Sequence, residues 1–156
     1  MAVIRIAGGS LDDTAEMFEK ICRINVCDMP KLLCNIATPC YEPEVMLVQS
    51  ETEGLSKMAA SLDAADYLVV NADQRGIFPA LSESRARIIT YGFNGKACVT
   101  ASSVDDGRCK CCNSLQVCIQ RGFRTLSGGL YEPQEFRAEY PPEMDAHTAL
   151  AAAARV

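Results

Sequence analysis

Residues 45–48 (Val-Met-Leu-Val) and 67–70 (Tyr-Leu-Val-Val) are apolar at every position, with no polar residue in alternation. A strand with one wet face alternates. A short run without alternation is a strand covered on both faces, as in a parallel sheet between helical layers. Val3-Ile4-Arg5-Ile6 reads as a further short strand, and Ile88-Ile89 is a shorter, fully apolar run.

Helix signals lie between these runs. Ser10 can cap a helix with Asp13 as its partner, and Leu11, Ala15, Phe18 and Cys22 then form one apolar stripe. Ser50 and Glu53 make a second capping box, followed by the stripe Leu55, Met58, Ala59 and Leu62. Pro79 suits the first turn of a third, short helix. Alternating strands and helices with short links predict right-handed crossovers and an α/β fold. The expected architecture is three-layered and Rossmann-like, with a mostly parallel sheet. Residues 26–43, with Pro30, Pro39 and Pro43, read as irregular, with at most one helical turn near residues 31–35.

After Asn94-Gly95 the pattern changes. Residues 97–104, 115–121 and 130–136 read as extended segments joined by Asp105-Asp106-Gly107 and Ser127-Gly128-Gly129. Gln116, Cys118 and Gln120 alternate with Val117 and Ile119, so one face is buried and the other is not. These segments predict an antiparallel meander that extends the parallel sheet. Pro133 marks the last of them as an edge, which could pair with a second copy in a homo-oligomer. Residues 1–140 are expected to form one domain, and 141–156 a flexible or helical tail.

At residues 66–104 the chain resembles the central domain of the Mur ligases, the ATP-dependent enzymes that add amino acids to peptidoglycan precursors. The matching words are Asp66-Tyr67-Leu68-Val69-Val70-Asn71-Ala72-Asp73 and Ile88-Ile89-Thr90-Tyr91-Gly92. Val45-Met46-Leu47-Val48-Gln49-Ser50, with Gly54-Leu55, is similar to the unit that precedes them in that family. The resemblance covers about a third of the chain. It implies that Asn71 and Asp73 lie near the adenine and ribose of a nucleotide. The family often has a second Asp where this chain has Gln74.

The phosphate loop of that family is absent. No Gly-x4-Gly-Lys-Ser/Thr run occurs, and Gly92-Phe93-Asn94-Gly95-Lys96-Ala97 is two spacers too short, with Ala in place of the Mg²⁺-binding hydroxyl. It reads as a turn. Ala7-Gly8-Gly9-Ser10 offers free N–H groups, but Asp12 and Asp13 already complement the helix dipole there and would repel a phosphate. Ligase chemistry is therefore not expected.

Ser50, Glu51 and Glu53 follow one predicted parallel strand, and Asn71 and Asp73 follow the next. Such tips converge on the crevice where open α/β sheets bind ligands, and these groups could hold a ribose or Mg²⁺. The expected role is a non-catalytic or accessory domain that binds a nucleotide or a UDP-sugar cell-wall precursor at these tips, with no further cofactor named. Two other classes stay open: an oligomeric scaffold without a small ligand, and a small metal- or thiol-dependent enzyme.

The net charge of −5 and the scattered basic residues disfavour nucleic acid and anionic membrane surfaces. The N-terminus lacks the pattern of a signal peptide and no run is long enough for a membrane span, so a cytoplasmic protein is expected. The nine cysteines then read as reduced thiols. Cys109, Cys111, Cys112 and Cys118 have poor spacing for a zinc site, and the single histidine, His147, lies in the tail.

Overall fold

The computed structural model describes residues 3–7, 31–33, 45–49, 63, 65–105, 112–124 and 129–154, the first two of these stretches as backbone only. Ten strands are described: β1 (Val3–Ala7), β2 (Lys31–Leu33), β3 (Val45–Val48), β4 (Tyr67–Asn71), β5 (Arg87–Tyr91), β6 (Val99–Asp105), β7 (Asn113–Ile119), β8 (Phe123–Arg124), β9 (Leu130–Tyr131) and β10 (Gln134–Tyr140). Two α-helices are described, α1 (Phe78–Leu81), which continues a 3₁₀ turn at Arg75–Ile77, and α2 (Ala146–Ala153). Eight strands form a mixed sheet in the order β10-β7-β6-β5-β4-β3-β1-β2, and β8 and β9 form a separate ribbon.

The apolar runs are the parallel strands. β1 pairs with β2 and β3, β3 with β4, and β4 with β5, all parallel. All residues of β3 and β4 are buried, because alternate residues feed two cores. Val45, Leu47, Tyr67, Val69, Ile89 and Tyr91 face one core, together with α2. Met46, Val48, Leu68 and Val70 face the other, against Ile77 and Leu81 of the 3₁₀ turn and α1. Pro79 opens α1, as its fixed φ favours.

β6, β7 and β10 pair antiparallel and continue this sheet. β6 meets β5 at one parallel pair, Tyr91↔Val99, so the two halves share a narrow seam. In β7 the expected alternation holds: Val117 and Ile119 are buried, Gln116 and Cys118 are half-buried, and Gln120 beyond the strand is exposed.

Two expectations need correction. Lys31–Leu33 is a strand on β1 and not a helical turn. Three residues carry no readable period, and Pro30 is acceptable because it stands just ahead of the strand. The extended segment expected at 130–136 is broken at Glu132-Pro133 into β9 and a longer β10, since proline cannot continue a ladder as a donor. The tail, expected to be flexible or helical, contains α2, whose Leu150 is fully buried against the chain's own core. Asp145 caps α2 by accepting from the Thr148 N–H at 3.0 Å and the Thr148 hydroxyl at 2.6 Å.

Candidate functional site

The carboxyl ends of β3, β4 and β5 lie side by side. The sequence candidates Ser50, Glu51 and Glu53 follow β3 but lie outside the described residues. Asn71 and Asp73 are described, and every polar atom of their side chains has a partner within the chain.

Asn71 ends β4 and is buried. Its side-chain amide donates to the Gln49 carbonyl at 3.2 Å, and its Oδ1 accepts the Asp73 N–H at 3.0 Å. The first bond ties the tip of β4 to that of β3. The second closes an Asx turn, which points the Asp73 carboxylate toward the end of β5.

There the Asp73 carboxylate meets two successive backbone donors. Oδ2 accepts the Phe93 N–H at 2.8 Å and Oδ1 accepts the Asn94 N–H at 3.0 Å. Only glycine fits immediately before them. Gly92 has φ +148°, and a Cβ on it would lie 2.7 Å from Asp73 Oδ2. The turn is completed by Asn94, whose Oδ1 accepts the Lys96 N–H at 3.0 Å and whose carbonyl accepts the Ala97 N–H at 2.9 Å. The stretch that superficially matched a phosphate loop is thus a turn filled by the chain's own carboxylate, and β6 follows it.

His147 completes this cluster. Its Nε2 lies 3.0 Å from Asp73 Oδ2, and its ring meets the Phe93 ring edge-on with centroids 4.6 Å apart. The contact is partly open to water, with the His147 side chain 46% exposed and that of Asp73 26%. Tyr91 lies beneath: burial, then the charges of Asp145 and Asp73, push its phenol far above the ordinary range. Burial thus favours the neutral phenol of Tyr91.

His147 was missed by sequence reasoning because seventy-four positions separate it from Asp73. The signal that could have found it was Asp145-x-x-Thr148, an N-cap that starts a helix at residue 146. Asp73 and His147 together could orient a proton-transfer group. Among the described residues, however, no group of three His, Cys, Asp or Glu side chains is arranged to hold a metal ion.

The described cysteines are Cys98, Cys112 and Cys118, and none of them is in a disulfide. Burial and the neighbouring Glu135 carboxylate push the Cys118 thiol up, which opposes thiolate formation. Cys109 and Cys111 lie outside the described residues. Among the described residues no helix is long and apolar enough to cross a membrane. No protein-family profile matches the chain, and a search of curated proteins finds no significant match.

Proposed function

We propose that this chain is a Rossmann-like, three-layer domain with a non-catalytic or accessory role, related to the central domain of the Mur ligases. It binds a nucleotide or UDP-sugar cell-wall precursor at the carboxyl ends of its parallel strands. Strand order carries this reading. The chain runs from β1 outward to β2 and then returns to place β3 on the other side of β1, with Ala7 paired to Val48. In doubly wound sheets of order 2-1-3-4-5, ligands occupy the crevice at such a reversal.

The internal bonds of Asn71 and Asp73 move the proposed contact away from the β4 and β5 tips and toward the end of β3. The Asn71 amide, bonded to the Gln49 carbonyl, fixes the β4 tip beside it. Ser50, Glu51 and Glu53 follow directly in the chain and supply the hydroxyl and carboxylates that recognise ribose or sugar hydroxyls. With no phosphate loop in the sequence, the domain holds such a ligand without hydrolysing it.

Calorimetric titration of the full chain with ATP, UDP and a UDP-sugar, with and without Mg²⁺, tests the reading. Saturable binding is expected, weakened about tenfold or more (about 1.4 kcal/mol) by combined Ser50→Ala and Glu53→Gln. No heat with any of them, or Mg²⁺-dependent ADP release from ATP, overturns it. A second reading, a scaffold without a small ligand, is favoured by one observation: the polar groups of Asn71 and Asp73 are already satisfied within the chain.

A further inference from the structure

Among the described strands, the eight-stranded sheet ends on β10. Among the described residues β10 pairs with β7 alone, and that ladder runs through all seven of its residues without a register shift. The neighbouring β6–β7 ladder, by contrast, shifts between Ala101 and Ser103. Over residues 134–138 this regular edge presents a row of backbone donors and acceptors to a further strand.

The side chains say which strand it takes. Glu135 and Arg137 share one face of β10 and are exposed, and Arg137 has no ion-pair partner among the described residues. Phe136 and Ala138 share the other face and pack partly against the core. Two copies of β10 related by a two-fold axis perpendicular to the sheet pair antiparallel. If the axis passes through Arg137, Arg137 faces itself and Glu135 faces Glu139, so every charged pair repels. If it passes through Phe136, Glu135 faces Arg137 of the second copy and the reverse, at the close spacing where opposite charges attract. The two Phe136 rings then meet on the core side. Pro133 stands opposite Glu139 and, lacking an N–H, ends the ladder.

We propose that the chain forms a two-fold dimer through β10, centred on Phe136 and held in register by reciprocal Glu135–Arg137 pairs. This goes beyond the ligand-binding reading and does not depend on it. The pairing is isologous, so it closes at two subunits and covers the edge that would otherwise template aggregation.

Sedimentation of the full chain over micromolar concentrations tests it. A monomer–dimer equilibrium is expected. Arg137→Glu should weaken association at least tenfold while leaving the circular dichroism unchanged, because Arg137 is exposed. The charge swap Glu135→Arg with Arg137→Glu should restore it. A monomer at every concentration, a dimer indifferent to Arg137→Glu, or failure of the swap to restore association each overturns the proposal.

Discussion

The two halves of the sheet solve the same burial problem differently. In β3 and β4 every side chain is buried, because Ile77 and Leu81 cover one face and α2 helps cover the other. In β7 burial alternates, with Leu115, Val117 and Ile119 on the α2 core and Gln116 and Cys118 facing away. The parallel half is a filled sandwich. The antiparallel half is a sheet with one dry face and one polar face. One residue pair, Tyr91↔Val99, joins their ladders, so polar contacts around that seam carry an unusual share of the connection.

The largest effect should come from breaking the single dry face of the antiparallel half. Val117 has no exposed surface, and Val117→Asp would bury a charge without a partner. We expect it to cost about 4 kcal/mol, or to prevent folding. Gln120→Asp, just past the same strand and exposed, should change stability by less than about 0.5 kcal/mol. Urea denaturation of both variants measures the contrast. Equal tolerance would mean that β7 does not present its faces as described.

This asymmetry also explains how much could be read in advance. The parallel strands β3 and β4 were legible because four consecutive apolar residues have few other uses. The faces of β7 were legible because a period of two is local information. β2 was not, since three residues carry no period and its place on β1 is decided by the rest of the sheet. The site was legible only in half. Asn71 and Asp73 were marked as polar residues at a strand end, but nothing local said that their bonds would be spent inside the chain. His147 was invisible for a further reason: its partner lies on another element, and only the packing of α2 brings them together.

The next effect concerns the seam. Asp73 extends from β4 and holds the Phe93 and Asn94 N–H groups that begin the crossing to β6. Asp73→Ala leaves those donors without their acceptor. Because the carboxylate is about a quarter exposed, water recovers part of the loss, and we expect a cost of about 2 kcal/mol. Amide exchange should locate the damage, with faster exchange in β6 than in β3. Unchanged protection of β6 would show that the seam holds without Asp73. Gly92→Ala should resemble it, since the added Cβ strikes the same carboxylate.

The smallest effect separates the two ways in which α2 is attached. Leu150 is fully buried on the core shared by β6 and β7, whereas His147, one turn earlier, touches Asp73 and Phe93 with nearly half its side chain in water. Burial of a leucine side chain outweighs an exposed polar contact, so Leu150→Ala should cost about 3 kcal/mol. His147→Ala removes a screened contact to Asp73, typically less than about 1 kcal/mol, together with one edge-on ring contact of about 0.5 kcal/mol. We expect a total near 1 kcal/mol at most. A double-mutant cycle with Asp73→Ala should return a coupling below that figure, because Asp73 keeps its two backbone donors when His147 is gone. If His147→Ala instead costs as much as Leu150→Ala, the helix is held chiefly by the strand tip and not by the core. The antiparallel half would then depend on the parallel half for its dry face as well as for its edge.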